Sequence, residues 1–80
     1  MNAPSPVLVE LDARGLEPPQ PLIRILEALN TLPPDACLHA RTDRQPIHLH
    51  PLLVQRGFVG VSHPLPSPDH GYLTEIRHRE

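Results

Sequence analysis

Residues 7–29 read VLVELDARGLEPPQPLIRILEAL. Val7 to Asp12 is partly alternating and carries β-branched residues, which predicts a short strand. Arg14-Gly15-Leu16 breaks it. In Glu17-Pro18-Pro19-Gln20-Pro21, three of four consecutive positions are proline. Proline cannot sit inside a helix, but it is tolerated in the first turn, where backbone N–H groups have no intrahelical partner. Leu22, Ile25, Leu26 and Leu29 then recur at i, i+3, i+4 and i+7. That is an amphipathic helix with Arg24 and Glu27 on its wet side. Leu32-Pro33-Pro34-Asp35 ends it.

Ala36 to Thr42 reads as a second strand. Alternation points Leu38 and Ala40 to one side and Cys37, His39 and Arg41 to the other. Asp43 is read as a turn or N-cap residue. Pro46 opens a second helix running to about Arg56, with Ile47, Leu49, Leu52 and Leu53 on its apolar side, and Gly57 stops it. Phe58 to His63 is a third strand, Pro64 to Gly71 a proline-rich turn, and Tyr72 to His78 a fourth strand. The order β-α-β-α-β-β predicts an α+β two-layer sandwich, with two helices packed on one face of a four-stranded mixed sheet. The other sheet face stays uncovered, with Leu8, Glu10, Cys37, His39, Glu75 and Arg77 on it. A polar, mixed-charge face suits a sheet that meets water on one side. Residues 7–78 form a single domain, and the tail of residues 1–6 is expected to be disordered.

The stretch Gly15-Leu16-Glu17-Pro18-Pro19-Gln20-Pro21 resembles the SirA/TusA-like sulfur carriers, in which the first strand is followed by Gly-Leu-x-Cys-Pro-x-Pro. Asp43-Arg44-Gln45-Pro46 and Gln55-Arg56-Gly57-Phe58 resemble more closely a branch of that superfamily that is a domain of unknown function. Its members carry Glu-Pro-Pro in place of the cysteine motif. The resemblance covers roughly residues 7 to 78 and implies the two-layer fold. It also implies the loss of the carrier chemistry. A persulfide is held on a cysteine at a helix N-terminus, because unpaired N–H groups and the helix dipole stabilise the anion there. Pro18 stands at that position, with no nucleophile and no N–H.

Composition narrows the alternatives. With 80 residues and 39% apolar content, the chain can build one thin core. The single cysteine, Cys37, forms no intramolecular disulfide and no cysteine-rich zinc site. A net charge of -2 and only two aromatic residues, Phe58 and Tyr72, argue against nucleic-acid binding. No apolar run approaches a membrane span, and no signal peptide is visible, so a cytoplasmic domain is expected. Twelve prolines and seven basic residues that are all arginine fit a GC-rich genome, so a bacterial source is expected. There is no phosphate-binding glycine loop and no serine-centred elbow. Glu10, Asp12 and Glu17 cluster near the first strand end, where a solvated turn with Asp12 and Arg14 bracing the loop explains them.

Six histidines stand out. His48-Leu49-His50 is the densest pair, although residues two apart on a helix do not face one another. His63 and His70 flank the last turn, within reach of each other. The sequence thus predicts a non-catalytic binding or regulatory module, without a cofactor, whose partner is a protein or a small acidic ligand. Its working surface is either the loop Arg14, Glu17, Pro18, Pro19 and Pro21, or the open sheet face at His39, Arg41 and Arg77. A small metal-binding or metal-sensing protein using His48 and His50 is the alternative. Sulfur transfer through Cys37 comes last, since a lone cysteine within a strand is ordinarily an inert apolar residue. The uncovered face and edge strands leave room for a weak homodimer.

Overall fold

The computed structural model describes residues 7–79, so the expected disordered tail lies outside the described residues. The chain runs β1 (Val7–Asp12), α1 (Gln20–Asn30), β2 (Ala36–Thr42), α2 (Leu49–Gln55), β3 (Phe58–Pro64) and β4 (Tyr72–His78). The strands form one mixed sheet in the order β1-β2-β4-β3. β1 lies parallel to β2, while β4 is antiparallel to both β2 and β3. The β-α-β-α-β-β order and the mixed sheet therefore stand as the alternation in the sequence indicates. β4 enters between β2 and β3, so the second β-α-β unit is split by the last strand.

The inner face carries the core. Leu38, Ala40, Thr74 and Ile76 are completely shielded at the centre of the sheet, and Ile25, Leu49 and Leu53 close over them from the helices. Small residues set how near the helices come. A Cβ at Gly60 would stand 2.6 Å from Leu53 Cδ1, so α2 packs directly on the β3 backbone. Polar groups on this face are paired: Ser62 Oγ lies 2.7 Å from Thr74 Oγ1, and His50 Nε2 lies 3.3 Å from Ser62 Oγ. At the other end, His78 Nε2 donates to the Leu32 carbonyl at 2.8 Å, and its ring packs on Phe58.

Two local expectations change. α2 begins at Leu49, later than Pro46. Pro51 therefore falls in the first turn, where its missing N–H costs nothing. Ile47 consequently lies outside the helix and is 62% exposed, rather than on the buried side. His63 and His70 take separate partners. His63 Nε2 faces Glu75 Oε2 at 3.2 Å on the open face, and His70 Nε2 faces Asp43 Oδ1 at 3.5 Å. Of the two readings of Asp43 the turn residue holds: it lies in the bend after β2 and accepts the Gly15 N–H at 2.7 Å, while His48 takes the cap position of α2.

The turn before β4 depends on Gly71. Its φ is +94°, and a Cβ there would run into the Thr42 carbonyl. Gly15 also has a positive φ, +83°, but open space around it. Gly15→Ala should therefore cost only the backbone penalty, about 1–2 kcal/mol. Gly71→Ala should cost clearly more, about 3 kcal/mol or above, because the collision is with backbone. Urea unfolding of the two variants checks this, and equal losses would contradict the steric account.

Candidate functional site

β1 and β2 are parallel neighbours, so the loops that leave them emerge side by side at one end of the sheet. Each loop leads into a helix. Between them lies a groove of about 500 Å³ on the helix-bearing side. The first loop and α1 contribute Leu16, Glu17, Pro18, Pro19, Pro21, Leu22 and Ile25. The second loop and the start of α2 contribute Thr42 to Leu49. The lining is dominated by apolar side chains, with Glu17, Asp43, Arg44 and His48 as its charged or titratable members. That volume and polarity match ordinary ligand-binding clefts.

Backbone chemistry makes the groove poor in donors. Pro18, Pro19 and Pro21 have no N–H, and the Gln20 N–H is already bonded to the Glu17 carbonyl at 2.8 Å. The first turn of α1 thus lacks most of the free N–H groups that make a helix start attractive to an anion. No side chain caps α1 either. The Thr42 hydroxyl, the hydroxyl within the lining, donates to the Arg44 carbonyl at 2.7 Å and orients the second loop.

A polar latch holds the two loops in register. The Arg14 guanidinium makes two bonds to the Asp12 carboxylate, 2.9 Å from Nε and 2.8 Å from Nη2, and the Arg14 N–H adds a third at 3.1 Å. Arg14 Nη1 reaches the His70 carbonyl at 3.3 Å in the β3–β4 turn. The Gly15 N–H crosses to Asp43, which carries the second loop. The Arg14 side-chain bonds, then its N–H, pull the Asp12 carboxyl down to about 2.

The structure separates the predicted site residues into two places. Glu17, Pro18, Pro19 and Pro21 line the groove, while Arg14 stands outside the lining, occupied by the latch. His39, Arg41 and Arg77 lie on the opposite, open face. There Arg41 pairs with Glu10 at 3.3 Å, and His39 Nε2 faces Glu75 Oε1 at 3.3 Å. Cys37 sits on that face across from Arg77, lining a second cavity of about 570 Å³ at the far end of β2. Thr42 lies five residue steps further along the strand, about 16 Å away. His48 and His50 also part company: His48 lines the groove, and His50 turns to Ser62. Among the described residues, no three His, Cys, Asp or Glu side chains converge as a metal-binding group. The reading of the sequence missed Leu16, Arg44, Gln45 and Ile47 as groove residues. The signal for them was the matching placement of the two proline-bearing loops after two parallel strands.

The latch has a pH signature. Because the Asp12 carboxyl is held below its usual 3.8, its contribution is complete above about pH 4 and is lost as pH falls towards 2. Asp12→Asn should flatten the stability profile between those limits while changing its slope little above pH 5. Thermal melts across pH 2–6 read this directly; identical acid slopes for the two proteins would rule it out.

No helix among the described residues is long and apolar enough to cross a membrane. No curated protein and no solved structure matches the chain. A family model, described as an uncharacterised conserved protein (DUF2249), matches residues 10–78 and so takes in both loops, both helices and all but the first residues of β1. The chain belongs to that family, DUF2249.

Proposed function

We propose that the chain is a non-catalytic binding module on a SirA/TusA-like scaffold, and that its groove takes an apolar segment of a protein partner. The observation that carries this is the lining at Pro18. Where such a scaffold would hold its reactive cysteine, the groove presents proline and leucine, and neither cysteine nor serine lines it. Cys37 lies on the other face at the other end of the sheet, remote from both helix starts.

The choice of an apolar protein segment over a small acidic ligand rests on three features. The α1 start is short of N–H donors, as described above. The carboxylates Glu17 and Asp43 stand beside Arg44 and His48, so no unbalanced positive field draws an anion. Finally, Leu16 and Ile47, both in the lining, leave much of their apolar surface in water. Apolar surface bordering a cleft is the usual mark of a protein-binding site.

Selection of peptides against the immobilised protein tests the proposal. Bound peptides should be rich in Leu, Ile, Val or Phe. Ile47→Asp should weaken them at least tenfold, whereas Val61→Asp, on the open face, should not. Peptides selected for acidic residues, or binding indifferent to Ile47→Asp, would refute the groove reading. The non-catalytic part has its own check. Incubation with a cysteine desulfurase and cysteine should leave the mass of the protein unchanged, and a stoichiometric gain of one sulfur atom would overturn it.

A further inference from the structure

The helices do not cover the sheet evenly. α1 packs on β2 and α2 on β3, which leaves β1 at the margin of the helical layer. Its inner-facing side chains show this. Val9 and Leu11 are only partly buried, and Val7 is 49% exposed, although all three point to the side that holds the core. Leu8, on the outer face, is 53% exposed.

The edge of β1 has a defined hydrogen-bonding phase. The Ala13 N–H donates to the Arg41 carbonyl of β2 at 2.8 Å. In a strand the N–H and C=O of one residue point to the same side, and alternate residues point to opposite sides. Residues 7, 9, 11 and 13 therefore turn their backbone groups towards β2. Leu8, Glu10 and Asp12 turn theirs to the outer edge, where no other strand of the described residues lies. β1 is short and carries Glu10 and Asp12, but it has no proline, lysine or bulge to blunt its edge. The opposite edge strand differs, since β3 carries Gly60 and ends at Pro64.

We propose that β1 pairs antiparallel with β1 of a second copy of this chain, joining the two sheets into one of eight strands. The side chains select the register. Pairing about Glu10 would set two carboxylates face to face. Pairing about Val9 sets Leu8 opposite the partner's Glu10 as the hydrogen-bonded pair, two bonds each way about the two-fold axis. On the inner face the same register aligns Val7 with the partner's Leu11 and Val9 with the partner's Val9, an apolar ladder between the two α1 helices. Glu10 keeps its bond to Arg41, so no carboxylate is stranded. The arrangement is isologous and closes on itself as a dimer. It does not use the groove and touches the open face only at its Leu8–Glu10 margin, and it stands independently of the groove reading.

Sedimentation equilibrium from micromolar to millimolar protein tests this. The expected result is a monomer–dimer equilibrium. Leu8→Pro removes only an edge-facing N–H, so the monomer should keep its far-ultraviolet circular dichroism while the dissociation constant rises at least tenfold. Val7→Lys, which places a charge in the ladder at a half-exposed position, should have the same effect. Val61→Asp, on β3, should leave the equilibrium unchanged. A monomer at millimolar concentration overturns the proposal, as does a dimer that survives both β1 variants or is lost on Ile47→Asp.

Discussion

The antiparallel insertion of β4 between β2 and β3 is the constraint on which the rest of the molecule depends. Leu38 faces Ile76 and Ala40 faces Thr74 across this pairing, and all four are removed from water. Because β4 occupies the slot beside β2, β3 must reach the far edge, and α2 has to cross over the sheet to deliver it. Both crossovers lie on the face that holds those four residues, so one core serves both helices. Close approach is possible because the positions beneath them are small, Ala40 in β2 and Gly60 in β3.

The groove is a consequence of the same topology. β1 and β2 run in the same direction, and each gives way to a loop and a helix start at the same end. Ligands of open sheets containing parallel strands commonly gather at the carboxyl ends of those strands. The prolines give the site its character. They stiffen the first loop, remove N–H donors and present ring carbons where a helix start would ordinarily present hydrogen-bonding groups. Asp12 and Arg14 supply polar ties behind the lining, and Asp43, within it, joins the second loop to Gly15.

The open face follows a different logic. Across its centre, Glu10, His39, Glu75 and Val61 stand in one row of the register. Glu75 meets His39 with one oxygen and His63 with the other, and Arg41 meets Glu10. These groups satisfy one another at a solvated surface, where such pairs contribute little to stability. Five of the six histidines that draw attention in the sequence are held by local partners: His39 and His63 share Glu75, His50 meets Ser62, His70 meets Asp43 and His78 meets the Leu32 carbonyl.

The elements, their order and the face each strand residue takes are all legible in the amino-acid sequence. Those follow from short-range rules: a two-residue alternation in β2 and β4, a 3.6-residue repeat from Leu22 to Leu29, and glycine or proline at the breaks. It also determined what Pro18 cannot do, because a missing nucleophile is a property of one residue. Tertiary contacts alone bring Leu16, Arg44 and Ile47 into one groove with Pro18 and place Arg14 in a latch outside it. Where α2 starts was settled in the same way, by the burial of Leu49 and Leu53 against β3. These are contacts between residues distant in the chain, set by which strands become neighbours. Local periodicity is the same for any strand order, so it carries no record of that choice.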